Sequence, residues 1–455
     1  MAIQVINPAT GELVKEYPEM SLEQAEGIVD ELHQAYLHST VNDFAFRAKC
    51  IKKAAELLRK KSEEYARLIL LEMGKPVKEG IAEILKCAWA CDYFAEHAEK
   101  FLQKEFIKTD ASKSYITYEP LGVVLAIMPW NFPFWQVFRF AVPVLMAGNG
   151  AALKHAANVP GCALAIEEIF REAGFHKNLF RTLLINNSLT ETIIENPKIA
   201  AVALTGSTAA GRIVASKAGA CLKKTILELG GSDPYLVLED ADLEQAAAIC
   251  TEAKLNNTGQ SCIAAKRIIL VKSISKDFEK LLIANMQKYK MGNAGSDELQ
   301  IGPLARNDLR LLLDRQVKSS IAKGAKCLLG GQIPEGKGFY YPPTILSEVK
   351  MGMPAYDEEL FGPAVAIITA RNEEEAITIA NDTSFGLGAC VFSKNIVKAE
   401  EIATKKIQAG SCFVNGRVRS DPRLPFGGIK QSGHGRELSF LGIREFTNVK
   451  TVVVC

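Results

Sequence analysis

Residues 123–154 read VVLAIMPWNFPFWQVFRFAVPVLMAGNGAALK. The first six are apolar without alternation, as in a strand covered on both faces. A turn holding Pro129 and Pro133 follows. A helical run over 134–147 then ends at Gly148, Asn149 and Gly150, and a short apolar strand covers 151–154. The pattern continues with helix 161–172, strand 183–185, helix 190–196, strand 200–205, helix 208–219 and strand 224–228. Strands of this kind, each followed by a helix, predict an α/β fold with a doubly wound parallel sheet of Rossmann-like type.

A second α/β set follows Gly230-Gly231. It has predicted strands at 235–238, 267–271, 364–368, 389–392 and 411–414. Its predicted helices are at 243–255, 275–290, 308–321, 373–381 and 397–405. Upstream, helical spacing runs from 43 to 104 and breaks at Gly74-Lys75-Pro76, with Ser21 or Asn42 as caps. Residues 112–120 alternate like an exposed ribbon, and the tail ends in a strand-like segment after Lys450.

The chain has 455 residues, 48% of them hydrophobic, and a formal net charge of +2. That length predicts two or three domains. The charge gives no electrostatic footprint for nucleic acid or an anionic membrane. The start of the chain lacks a basic-then-apolar leader, and the apolar stretch 121–130 is too short for a bilayer. Eleven cysteines without framework spacing predict reduced thiols and a cytoplasmic location. Cys87 and Cys91 share one helical face with no histidine nearby, so no metal site is expected.

The segment 256–267, NNTGQSCIAAKR, presents Cys262 on a glycine-containing turn. A cysteine placed there is reachable, whereas most free cysteines are small core residues. Gly206 and Ser207 sit at a strand-to-helix junction, which offers either an anion site or an ordinary cap. Lys154, Glu228 and Asn131 follow strands of the same predicted sheet. Together they supply a cation, a carboxylate and an amide donor at the edge where such sheets bind ligands. The set suits nucleophilic catalysis by a thiolate beside a nucleotide.

Six motifs then appear in order: 127–133 (IMPWNFP), 204–207 (LTGS), 227–231 (LELGG), 257–262 (NTGQSC), 359–363 (ELFGP) and 425–430 (PFGGIK). The chain resembles the aldehyde dehydrogenase superfamily over nearly its whole length. Residues 128–137 with Ser420 and Asp421 are similar to the bacterial succinate-semialdehyde dehydrogenase branch. The resemblance implies that Cys262 is the nucleophile, Asn131 the oxyanion donor and Glu228 the base that activates water. Lys154 and Glu359 would bind the riboses, and Gly206 and Ser207 the pyrophosphate. Ile127, Trp130 and Phe361 would line the cofactor cleft, and Phe132 and Phe426 the substrate tunnel. NAD-preferring relatives commonly carry a glutamate where this chain has Ala157. With no carboxylate to repel a 2′-phosphate, NADP is expected to be preferred over NAD, modestly because alanine donates nothing.

The resemblance also places Arg139 in the tunnel, where a guanidinium would pair with the carboxylate of succinate semialdehyde, helped by Gln136, Ser420 and Arg417 or Arg419. A structural ion pair is the competing reading. Ile263 and Ala264 replace the second thiol of some relatives, and residues 180–187 lack the glycine-rich run seen in many.

The architecture implied is aldehyde-dehydrogenase-like. It comprises a cofactor-binding domain (1–108 and 121–230), a catalytic α/β domain (231–430) and a small β oligomerisation arm (109–120 and 431–455). The exposed arm predicts a homodimer or homotetramer. Other functions are oxidation of unrelated aldehydes, a cofactor-independent thiol hydrolase and a silent binding protein. A hydrolase leaves Lys154, the Gly206-Ser207 turn and Glu359 without a task, and the joint presence of Cys262, Glu228, Asn131 and Lys154 argues against a silent protein.

Overall fold

The structure is a computed structural model that describes residues 2–39, 43–292 and 300–455. Two large sheets organise it. The first has the order Gly433–His434, Lys224–Glu228, Ile199–Thr205, Val123–Met128, Gly150–His155, Phe180–Thr182, and its pairs are parallel except at the Gly433–His434 edge. Successive residues serve opposite cores. Val124, Ala126 and Met128 join one buried cluster, and Val123 and Leu125 another. This is why the sequence shows no polar alternation.

The second sheet has seven strands in the order Lys326–Leu329, Thr344–Ser347, Ala364–Ala370, Arg267–Val271, Pro234–Val237, Gly388–Phe392, Ser411–Val414. It too divides its side chains. Leu236 and Tyr235, adjacent in the chain, enter different cores. Its first two strands add to those that the sequence predicts. They are four residues each and lie among glycines and prolines, which hides a strand signal.

The helices Phe44–Lys60, Ser62–Met73 and Val77–Phe101 pack together and against Trp135–Met146. Asp43 caps the first of them by accepting from the Phe46 N–H at 2.8 Å, and Gly74 ends the second with φ 80°. Ser21 and Gln24 form a reciprocal capping box at the start of Leu22–Ser39. The alternative cap, Asn42, lies outside the described residues.

Two expectations are corrected. The third strand of the first sheet is Phe180–Thr182, not 183–185. It is an edge strand, so it tolerates Arg181, which pairs with Glu31 and Glu167 at the surface. The apolar Leu183 and Ile185 that suggest a strand pack into the core beyond it. Of the segment 431–455, only Thr447–Val454 joins the arm sheet, pairing with Lys113–Pro120 along its length. Gly433–His434 pairs instead with Glu228 and Leu227 on the first sheet.

A candidate active site between the two sheets

The first sheet runs outward from Val123–Met128 to Phe180–Thr182, then returns to place Ile199–Thr205 on the other side of the starting strand. That reversal opens a crevice at the carboxyl ends of the strands, where open α/β sheets bind ligands. Lys154 lies there in the Gly150–His155 strand, and its Nζ donates to Asn187 Oδ1 at 2.8 Å. Asn187 opens a helix capped by Asn186, so this pair stands where the glycine-rich run of many relatives is missing. Ser207 caps the Thr208–Ala220 helix by accepting from the Ala210 N–H, which leaves its own O–H to donate. Trp130 and Phe361 meet edge to face, centroids 5.9 Å apart. Ile127 is half-buried and Ala157 exposed. A cation, a capped helix start and an aromatic wall fit a dinucleotide.

The cysteine turn is built from left-handed residues. Asn257, Thr258 and Gly259 have φ of 53°, 55° and 71°. Asparagine and glycine tolerate this region; threonine does not without support. Thr258 receives it from Gly302, whose N–H donates to Oγ1 at 3.0 Å. A Cβ at Gly259 would lie 2.1 Å from the Gly362 carbonyl oxygen, so the position requires glycine. Asn257 Nδ2 donates to the Asn131 carbonyl at 2.7 Å, and Asn131 Nδ2 donates to the Gln260 carbonyl at 3.0 Å. One N–H of the Asn131 amide remains for an oxyanion.

Lys266, which sequence reasoning missed, straps this turn to the neighbouring strand ends. Its Nζ donates to the Cys262 carbonyl at 2.5 Å and pairs with Glu359 Oε1 at 2.7 Å. Glu359 also accepts from the Gly231 N–H at 3.1 Å.

A cavity of about 590 Å³ reaches Cys262, and Phe132, Gln136, Arg139, Ser420 and Phe426 line it as well. Among the described residues, Cys262 is the one cysteine on its wall. Burial pushes its thiol up to about 12, opposed by Lys266 and Arg139. Glu228 is buried, and neither carboxylate oxygen has a partner among the described residues. Burial raises it well above the usual carboxylate range, while Arg139 draws it down. It is not among the residues that line the cavity, and a Cβ on Gly427, next to the lining residue Phe426, would come within 2.7 Å of its Oε1.

Arg139 lies on the cavity wall and is also tied to protein groups. It forms a fully buried ion pair with Glu437, donates to Thr205 Oγ1 at 3.3 Å and lies 4.8 Å over the Phe426 ring. The ion pair of the competing reading is thus present, and Arg139 also lines the cavity, where the tunnel role requires it. Arg417 is likewise held, by Glu252 at 2.8 Å. Lys86, also missed, reaches Ser420 Oγ at 2.7 Å from the Val77–Phe101 helix. Nothing local marks Lys86 or Glu437, because tertiary packing brings each to its partner.

The Aldehyde dehydrogenase family model matches residues 1–452. A probable NADP(+) succinate-semialdehyde dehydrogenase of Synechocystis sp. is 48% identical over 99% of each chain. A succinate semialdehyde dehydrogenase of Escherichia coli described as using NAD(P)+ is 44% identical, covering 98% of this chain and 96% of that one. The crystal structure of a Streptococcus pyogenes succinic semialdehyde dehydrogenase in complex with NADP+ superposes with a TM-score of 0.97 at 35% identity over 99% of both chains. A match of this extent, on a two-sheet fold with a cysteine turn in the wall of its cavity, shows that the chain belongs to the aldehyde dehydrogenase family.

Proposed function

We propose that the protein oxidises succinate semialdehyde to succinate with NADP, and less readily with NAD. The observation that carries the reaction is the placement of Cys262 on the cavity with the Asn131 amide tied to its turn. The relatives named above support the substrate. Its anionic end is supported by the charge balance of the wall. Arg139, Arg417 and Glu83 are already paired, which leaves Lys86, Lys78 and Arg419 against Glu79. Burial brings both the Glu79 carboxyl and the Lys86 amine to about 7, so near neutral pH these two partly discharge together and Lys78 and Arg419 carry the positive excess.

The Cys262 thiol, raised by burial, loses its proton to water and attacks the aldehyde carbon as a thiolate. Asn131 Nδ2–H and the Cys262 N–H then donate to the oxyanion of the thiohemiacetal. Lys154, Ser207 and Glu359 would hold the dinucleotide. When bound, the dinucleotide would supply the hydride acceptor. Loss of hydride from the carbon leaves a thioester on Cys262. Glu228 takes a proton from water, which releases succinate and restores the thiol. Glu228 accepts that proton in its ionised form; burial makes it a stronger base, and Arg139 favours its ionisation.

A panel of aldehydes assayed with each dinucleotide tests this. Succinate semialdehyde should exceed butanal in kcat/KM by at least about 30-fold, the scale of one charge-assisted contact. Equal values would refute the substrate, and turnover of esters without dinucleotide as the main activity would favour a hydrolase. Cofactor choice is read at Ala157. The Ala157→Glu variant should lower kcat/KM for NADP by about tenfold or more while sparing NAD, since a new carboxylate repels a 2′-phosphate.

The reading extends to a cytoplasmic enzyme, since eleven unpaired cysteines suit a reducing compartment. It also extends to a homodimer or homotetramer. The arm sheet of Thr447–Val454, Lys113–Pro120 and Glu105–Phe106 leaves Phe106, Val449 and Val453 exposed, which supports a partner subunit there.

A further inference from the structure

Three chain segments meet at the buried Lys266 ammonium. Its Nζ donates to the Cys262 carbonyl and, at 2.7 Å, to Glu359 Oε1, which also accepts from the Gly231 N–H. Glu359 Oε2 has no donor among the described residues, so one carboxylate holds the strap with one oxygen and keeps the other. Gly230 and Gly231 make room for this meeting. A Cβ on Gly230 would lie 2.6 Å from Glu359 Oε2. One on Gly231 would lie 2.6 Å from the Cys262 carbonyl oxygen and 3.1 Å from Asp233 Oδ1. Both glycines of the 227–231 motif are therefore needed for the close approach.

Asp233 is a second acid beside Lys266. It is buried, its Oδ1 accepts from the Gly388 N–H at 3.0 Å, and its Oδ2 has no partner among the described residues. The other charged groups here are already engaged. Arg267 donates to the carbonyls of Ser232, Ile379 and Ala380. Lys254, from the Leu243–Leu255 helix, donates to the Leu360 carbonyl at 3.1 Å, and burial holds it well below the usual lysine range. Burial keeps the nearby Cys412 thiol and Tyr235 phenol protonated. Of the cations that act on Cys262, Arg139 is paired with Glu437, and Lys266 is the one bonded to the cysteine itself.

We infer that Lys266 is the positioning cation of the nucleophile: it ties the Cys262 turn to the Glu359 carboxylate and favours the thiolate, with Asp233 as the acid that opposes it. The inference rests on the reading of Cys262 as the nucleophile and deepens it. Burial pushes Asp233 up to about 7, while Lys266 and the Gly388 N–H draw it down. Below that pH Asp233 is neutral, and it does not oppose Lys266. Above it the carboxylate is charged and disfavours the thiolate. The thiolate fraction should therefore climb less steeply than about tenfold per pH unit near pH 7.

The test follows alkylation of Cys262 by iodoacetamide from pH 6 to 9, without dinucleotide, by mass spectrometry of the peptide that carries it. The thiolate is the form that displaces iodide, so the rate tracks its fraction. The wild type is compared with Lys266→Met and Asp233→Asn, each with its melting temperature and its kcat and KM for succinate semialdehyde. Lys266→Met should alkylate at least about tenfold more slowly at pH 8, which is one pH unit in the thiol. Its kcat should fall by a similar factor, with KM within about threefold. A merely structural lysine gives the opposite sign, because a loosened turn exposes the thiol and speeds alkylation. Asp233→Asn keeps an acceptor for the Gly388 N–H and removes the charge. It should match the wild type at pH 6, alkylate about threefold faster or more above pH 8, and lose the shallow step near pH 7. Alkylation of Lys266→Met at the wild-type rate or faster overturns the proposal. So does an Asp233→Asn profile parallel to the wild type at every pH, and that variant decides alone if Lys266→Met does not fold. If turnover survives Cys262→Ala, the reading of Cys262 as nucleophile fails instead, whatever the alkylation profiles show.

Discussion

Replacing Cys262 by alanine is expected to lower aldehyde oxidation by at least about 10⁴-fold, as when a covalent nucleophile is removed from a preorganised site. Binding of NADP, followed by fluorescence quenching, should change by less than about threefold, the spread expected when no contact group is lost. The separation follows from the layout. Cys262 belongs to the turn that faces the cavity, whereas Lys154, Asn187 and Ser207 sit on the first sheet and its helices. No other cysteine among the described residues lines the cavity, so no neighbouring thiol can take over. Retention of more than a few per cent of activity would place the nucleophile elsewhere. A loss of dinucleotide binding as large as the loss of turnover would mean that the turn supports the crevice instead.

The second large effect is expected at the Arg139–Glu437 pair. Both side chains are buried, and Glu437 comes from a segment nearly three hundred residues away in the chain. Glu437→Ala leaves a guanidinium buried without its counter-ion, which costs about 3–5 kcal/mol. Arg139→Ala should cost a similar amount, and each variant should melt roughly 5–15 °C below the wild type. The double variant Arg139→Met with Glu437→Leu should recover most of the loss, because an apolar pair of similar volume needs no desolvation. If the ion pair is its whole role, Arg139→Ala should weaken oxidation of succinate semialdehyde and butanal alike. A selective rise in KM for the carboxylated aldehyde, with the melting temperature unmoved, would restore Arg139 to substrate binding.

The contrast between Cys262 and Arg139 shows which parts of the molecule are legible in the sequence. The strands 224–228, 267–271 and 411–414 match their predicted bounds to the residue, because a short segment with an apolar centre between helical and turn-forming stretches folds in few ways besides a covered strand. Cys262, Asn131 and Lys154 are legible because each follows an element whose end the sequence marks. Arg139 lies on a helix that is buried along its whole length, where periodicity carries no facing information. Its partner could come from any distant segment, and Glu437 carries no local sign. Lys86 is hidden in the same way, on a helix whose polar positions read as a solvated face. Lys266 reads in the sequence only as one of two adjacent basic residues. The strands Lys326–Leu329 and Thr344–Ser347 are too short to show a period.

The pairing of Gly433–His434 with Glu228 and Leu227 bears on the order in which the chain assembles. The second sheet is drawn entirely from residues 234–414, so it can form from a continuous stretch. The first sheet cannot. Five of its strands are made early in synthesis, yet the neighbour that closes the open edge of Lys224–Glu228 emerges only after the whole second sheet has been translated. Until then the strand bearing Glu228 remains an unpaired edge, and Arg139 waits for its counter-ion Glu437. A nascent chain stalled before residue 433 would expose a sticky edge and an unbalanced charge side by side. The last steps of folding are thus the ones that complete the surroundings of the base, and contacts of such long sequence separation make them slow.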